Sequence, residues 1–492
     1  MDRRAESHLT ARRNLSELAH PRLLPRYSRA SFSSVQSLEL LEHSYTLPDS
    51  KGRPFITLHV KSRAKDKRTW PLFCERDTIR GTVEVDFDKT DGAKAVSITL
   101  AGGVTAVGQE ELNFLTSTKE LWNAKVSGNP PNGKMSWPFT IPIPTEVDVA
   151  DKPKAKAESY RLPPTFSERA SPAYIDYKLV ITVKRSALRV NQIMTTSIYY
   201  TPLSRADPPS ALRQAAYVEG SSLAGPDRDP EGWKTLSQVR MGGTLFKSRT
   251  VNVDCTVSLA NPLSYAAGSP IPIIATFNSD DQQALDLICS PTAVKMALVR
   301  ERLIGLVATR PGTGSSANVV REVMCTANFW PTEEGDSAAR EPLKRTLRGE
   351  LDIRKAYRPT FTFPAFSLRY DVCMYPSQAP GFVGINPDTP LFAERVMIHT
   401  LNAVGVIPKS FAPPGYSSAA DNNWNVAAGF LENGNQRRVI TIGPSISCQK
   451  LTCCLVDSST MEVFNEQFTV FLFAIYVGTF HSSGSRSVFR TR

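Results

Sequence analysis

Side chains able to do covalent or metal chemistry are sparse and scattered along this sequence. The six histidines fall at 8, 20, 43, 59, 399 and 481, and the eight cysteines at 74, 255, 289, 325, 373, 448, 453 and 454. The cysteines form no C-x-x-C pair and no repeated spacing, so nothing local presents the four converging ligands of a zinc site. Cys453-Cys454 is an adjacent pair of a kind found in metal sites and lipid anchors, but buried or incidental thiols are the simpler reading. No G-x-S-x-G, H-E-x-x-H, Walker A or G-x-G-x-x-G signature occurs. Gly312-Thr313-Gly314-Ser315-Ser316 lacks the lysine of a phosphate loop and reads as a surface loop. The expectation is therefore no catalytic residue, no metal and no cofactor.

Recognition chemistry is better represented. Pro413-Pro414-Gly415-Tyr416 places two prolines ahead of a tyrosine. The prolines hold the backbone near polyproline II, so little ordering entropy is lost on binding. WW domains clamp such a helix between aromatic side chains, and the tyrosine fills a second pocket. With 36 prolines and 14 tyrosines in 492 residues, chance supplies roughly 0.07 such motifs. Pro413, Pro414 and Tyr416 are therefore the leading partner-binding residues. Leu24-Pro25-Arg26-Tyr27 is a looser version. Leucine lacks proline's fixed φ, so Leu24, Pro25 and Tyr27 form a weaker second candidate. Two working sites would add avidity toward a partner with several WW domains.

The net charge is +11, and cations cluster. Residues 1–34 carry seven arginines against Asp2, Glu6 and Glu17, a local balance of 7 − 3 = +4. Lys61, Arg63, Lys65, Lys67 and Arg68 form a second group, and Lys152, Lys154 and Lys156 a third. Such surfaces attract acidic protein segments, anionic lipid or nucleic acid, and they also serve simply as solvated loops. Ser16, Ser28 and Ser31 each follow an arginine by two or three residues, a pattern that basic-directed kinases accept.

The elements that carry these motifs are strands. Ile175, Tyr177, Leu179, Ile181 and Val183 alternate with polar partners, as do Gly81, Val83, Val85 and Phe87. The same period of two recurs over Val251, Val253, Cys255, Val257 and Leu259, and over Phe366, Leu368, Tyr370 and Val372. Half-buried strands with one wet face stack as antiparallel sandwiches, which assigns their aromatics to cores rather than to base stacking. The best helical stretch, 208–218, is short. Composition divides the chain into a basic disordered arm at 1–34, a strand block at 35–204, a Pro/Gly/Ser linker at 205–233 and a second strand block at 234–400. A flexible tail follows at 401–438, then an apolar segment at 439–492 of unassigned role. Its run 468–480 is shorter than the roughly 20 residues of a membrane helix and reads best as a strand. The start Met1-Asp2-Arg3-Arg4 lacks the apolar stretch of a secretory signal, and the cysteine usage suits a reducing compartment.

The first strand block resembles the arrestin N-terminal domain of the fungal α-arrestins. The resemblance rests on Thr78-Ile79-Arg80-Gly81-Thr82-Val83, Val96–Gly102, Gly133-Lys134-Met135-Ser136-Trp137-Pro138-Phe139, Ile141-Pro142-Ile143-Pro144, Leu162-Pro163-Pro164-Thr165-Phe166 and Ile175–Leu179, in that order. The second block resembles the arrestin C-terminal domain through Pro262-Leu263-Ser264-Tyr265, Gly268, Ile271-Pro272-Ile273, Leu347-Arg348-Gly349-Glu350-Leu351 and Phe363-Pro364-Ala365-Phe366. The likeness covers roughly 50–400 and leaves out 440–492, where the family leads one to expect a polar tail and this chain is apolar. It implies an all-β fold of two tandem immunoglobulin-like antiparallel sandwiches. It also implies a non-enzymatic cytoplasmic adaptor, recruited to plasma membrane and endosomes. Pro413–Tyr416 would hold a WW-domain HECT ubiquitin ligase. The sandwiches would hold cytosolic regions of membrane transporters or receptors for ubiquitination and endocytosis. The cluster Lys61, Arg63, Lys65, Lys67 and Arg68 would face acidic cargo or anionic lipid, with no nucleic acid involved. A ligase-independent trafficking or signalling scaffold is the alternative.

Overall fold

The computed structural model describes residues 40–415 except 50, 129–131, 151–155, 169–170, 187–188, 306–307, 310–317 and 333–341. Four curled, sandwich-like sheets dominate. The first runs Leu41–Pro48, Pro54–Ser62, Thr78–Asp86, Lys134–Pro142 in spatial order. The second runs Leu72–Cys74, Gln192–Thr201, Ala173–Arg185, Ala93–Ala106, Leu112–Asn123. The third runs Asn328–Pro331, Lys344–Asp352, Pro270–Asn278, Arg249–Ala260, Val239–Leu245, Phe382–Gly384, with Trp233–Thr235 paired to Arg249–Ala260. The fourth runs Ser264–Ala266, Phe392–His399, Phe366–Tyr375, Lys295–Ile304, Val319–Thr326.

The third and fourth sheets repeat the connectivity of the first and second. In each half a three-residue strand pairs in parallel with the last long strand: Leu72–Cys74 with Gln192–Thr201, and Ser264–Ala266 with Phe392–His399. The other named strand pairs are antiparallel. Even a hydrogen bond recurs. Tyr177 donates its hydroxyl to the Pro163 carbonyl at 2.6 Å, and Tyr370 donates to the Arg358 carbonyl at 2.8 Å.

Period-two patterning builds the cores. Ile175, Tyr177, Leu179, Ile181 and Val183 are all buried, as are Val251, Val253, Cys255, Val257 and Leu259. Close approach fixes Gly81: a Cβ there would lie 2.1 Å from the His59 carbonyl oxygen and 2.8 Å from the Phe139 ring. Pro138 sits within the edge strand Lys134–Pro142, where a missing N–H is tolerated. Leu162–Phe166 is buried, and Thr165 and Tyr200 exchange hydrogen bonds of 2.9 Å, so Pro163-Pro164 is a structural clasp.

Three expectations are corrected. Several strands have no wet face: in Phe366–Tyr375, Ser367, Arg369 and Asp371 are buried as well as the apolar residues. Asp371 is covered by Arg395, and Arg369 donates to the Ala308 carbonyl at 3.2 Å. The stretch 205–233 is not a free linker. It forms the helix Ala211–Glu219, N-capped by Ser210, and Ala216, Tyr217 and Leu223 pack with Trp233, Ile274, Ala403 and Val406. The start of the supposed flexible tail, 401–411, is likewise docked on the body through Ala403, Val406 and the Phe411 amide on Glu350.

The two halves share one hydrophobic cluster. Phe114 meets Phe363 at 4.8 Å between ring centroids, and Phe166 meets Phe366 at the same separation. Beside them, Arg300 reaches Glu168 with two hydrogen bonds of 2.8 and 2.6 Å and Glu322 with one of 2.7 Å. Among the described residues no helix is long and apolar enough to cross a membrane.

Candidate partner-binding site

The tetrapeptide 413–416 is reached along a fixed track. Ser204 and Arg205 start it: the Leu401 amide donates to the Ser204 carbonyl at 2.9 Å, and Arg205 Nη1 donates to the Asn402 carbonyl at 2.6 Å. Ser269 Oγ donates to Asn402 Oδ1 at 2.8 Å. Ala403 and Val406 then enter the small cluster with Tyr217 and Trp233 on the outer face of the third sheet. Arg213, itself buried, lies 4.9 Å over the Trp233 ring and donates to the Asn261 and Gly232 carbonyls. Burial pulls its guanidinium below the usual range.

Glu350 makes the last anchor. Its side chain projects from Lys344–Asp352 and the residue is 3% exposed. Ser410 Oγ donates to one carboxylate oxygen at 2.5 Å and the Phe411 amide to the other at 2.7 Å. Loss of solvent raises the Glu350 carboxyl above its ordinary value, and the two donors offset part of that rise. Phe411 stacks on Tyr217, with ring centroids 6.0 Å apart and planes 16° apart. Burial pushes the Tyr217 hydroxyl up to about 12.

Two residues past this anchor the motif begins. Pro413 is half-buried, while Pro414 and Gly415 are exposed and form a turn, with Gly415 at φ +92°. Pro413 lines a groove of about 470 Å³ whose other walls include Leu223, Trp233, Trp330, Arg348 and Glu350. Arg348 Nη1 donates to the Leu223 carbonyl at 2.9 Å, so this floor is polar between aromatic walls. Tyr416 lies outside the described residues.

The basic group 61–68 divides. Lys61, Lys65, Lys67 and Arg68 are exposed. Arg63 is not a free cation: it grips Asp77 with bonds of 2.6 and 2.7 Å, and Asp77 Oδ2 also accepts the Cys74 amide at 2.8 Å. Its guanidinium is held above the usual range by the Asp77 hydrogen bonds. Arg63 therefore braces the turn between Leu72–Cys74 and Thr78–Asp86, a structural role beside the cargo or lipid contact expected of it. Lys156 is exposed. Leu24, Pro25 and Tyr27, the three arm serines, Lys152, Lys154, Gly312–Ser316, the run 468–480 and Cys448, Cys453 and Cys454 lie outside the described residues.

Among the described residues no group of three or more His, Cys, Asp or Glu side chains is placed to hold a metal ion. Cys255, Cys289 and Cys373 are buried, and burial pushes the Cys255 thiol up to about 12. No family model matches the chain, and the curated proteins contain no match to it.

Reading the sequence missed Ser410, Phe411, Glu350 and the groove. Phe411 carried a signal: it is the one aromatic residue of 401–415 and stands two residues ahead of the proline pair. Glu350 carried none, because its partners lie 60 and 61 residues away.

Proposed function

We propose that this chain is a non-enzymatic adaptor of the arrestin type. It would consist of two tandem immunoglobulin-like sandwiches that bring a WW-domain HECT ubiquitin ligase to plasma-membrane transporters or receptors. The observation that carries the reading is the placement of Pro413-Pro414, the described start of the motif. The motif follows an anchor in which Ser410 and Phe411 donate to the buried Glu350 carboxylate, and its second proline is exposed. A WW domain needs a short, preorganised proline segment at an accessible surface.

The repeated sheet order of the two halves supports the tandem-sandwich part of the reading. Exposed Lys61, Lys65, Lys67 and Arg68 give the first half a surface suited to acidic cargo segments or anionic lipid. The adaptor would work in the cytoplasm at the plasma membrane and endosomes. It would raise the ligase concentration at cargo lysines, and the transfer chemistry would stay with the ligase.

Titrating a peptide spanning residues 410–421 against WW domains of HECT ligases tests the proposal. Micromolar binding is expected, with loss of at least roughly tenfold on Tyr416→Ala, since one pocket empties. A peptide that binds no such WW domain removes the ligase from the account.

A further inference from the structure

Pro413 belongs both to the recognition motif and to the wall of the groove between Leu223, Trp233 and Trp330. The backbone beyond it does not run on in polyproline II, which has φ near −75°. Pro414 and Gly415 form a turn with Gly415 at φ +92°. Proline followed by a glycine of positive φ is the pattern of a type II β-turn, and such a turn returns its fourth residue to within about 7 Å of its first. In sequence, Tyr416 follows this Pro414-Gly415 turn directly.

We propose that this groove is the resting seat of the chain's own Pro413–Tyr416 segment, holding the Tyr416 ring against Trp330 and Leu223, and that a WW domain must displace it. Three features support this occupant. The described chain ends at Gly415 with Pro413 already on the groove wall. The volume of about 470 Å³ is ample for a tyrosine ring, with aromatic walls for its faces and Arg348 and Glu350 near its hydroxyl. The anchors at Ser410 and Phe411 hold the segment at the rim, so seating it costs little further chain entropy.

Seating and WW engagement exclude one another. A WW domain needs the face of Pro413 that the groove covers, and an extended segment where residue 415 now turns. The motif is thus self-masked, and ligase recruitment depends on whatever frees it. The masking part rests on the adaptor reading; the seat itself does not.

Two measurements on the full chain test the inference. Tyr416 replaced by the photoreactive p-benzoylphenylalanine is expected to crosslink to Leu223, Trp330 or Arg348. Crosslinks confined to other regions, or none, overturn the seat. In parallel, WW affinity of the full chain is compared with that of the 410–421 peptide. A seated population near 90% weakens the full chain about tenfold. Ser222→Trp, at the exposed groove rim, fills the seat without removing a core contact and is expected to restore peptide-like affinity. Equal affinities for full chain and peptide refute the masking. A peptide that binds no WW domain sinks the ligase reading, while the crosslinks still decide the seat.

Discussion

Glu168→Ala is expected to loosen the joint between the two halves. Arg300 is 2% exposed, and its two hydrogen bonds to Glu168 join a loop of the first half to a strand of the second. Burial alone would lower the Arg300 guanidinium, but the Glu168 carboxylate outweighs it and holds the group above its usual range. Removing that carboxylate leaves a buried cation with Glu322 as its remaining acidic hydrogen-bond partner. Breaking a buried pair on one side typically costs about 3–5 kcal/mol. Because Glu322 stays at 2.7 Å, the lower end applies.

The magnitude converts to a thermal shift. At about 2.1 cal/mol/K per residue, cooperative unfolding of the body at 40–415 carries an entropy near 0.8 kcal/mol/K, so a loss of ~3 kcal/mol lowers Tm by about 4 °C. Calorimetry reads this directly, and splitting of the single transition into two would show the halves uncoupling. The double variant Glu168→Met with Arg300→Met separates a buried-charge effect from lost packing. Replacing both charges with apolar groups of similar reach is often neutral or stabilising. A single-variant shift below about 1 °C, or a double variant no more stable than the single, refutes the reasoning.

Three further outcomes follow from individual side chains. Because the Glu350 carboxyl is raised, the folded chain holds its proton more tightly than the unfolded chain does; the stability this contributes is present below the ordinary carboxyl range and is lost as pH rises through the raised value. The urea midpoint of Glu350→Gln relative to wild type should therefore fall on acidification from about pH 7.5 to 4.5, and a pH-independent difference would show that Glu350 is not buried as charged. In the basic group, Lys65→Ala with Arg68→Ala should leave stability within about 0.5 kcal/mol but weaken binding to anionic vesicles by roughly 2 kcal/mol, about thirtyfold. Arg63→Ala should instead cost about 1 kcal/mol of stability through Asp77, measured by urea unfolding, with unchanged vesicle binding.

Much of the fold was legible because burial follows local period. The alternation from Ile175 to Val183 was read from side-chain type alone and is the buried face of its strand. The outer faces were not legible. Ser367, Arg369 and Asp371 look like a wet face until Arg395, 24 residues beyond Asp371, covers it. Lys61 and Arg63 look alike in sequence, yet only Arg63 finds a carboxylate, 14 residues on, at the next turn. The proline motif was legible as chemistry, since its information is contiguous. Its setting was hidden, because Glu350, Tyr217 and Trp330 reach it from three distant segments.

That setting changes what the tail does. A freely flexible tail would display its motif over a wide volume at low effective concentration near any one point. Here, residues 401–411 are pinned by Ser204, Arg205, Ser269 and Glu350, so the motif leaves the body from one place on the third sheet. The cations at 61–68 belong to the first half, and the Glu168–Arg300 joint and the Phe114–Phe363 contact tie that half to the second. Under the adaptor reading, the separation between cargo surface and ligase motif is then set by packed side chains rather than by linker statistics. Geometry of that kind selects which cargo lysines a bound ligase can reach. Loosening the joint at Glu168 should broaden the pattern of modified lysines before it abolishes modification.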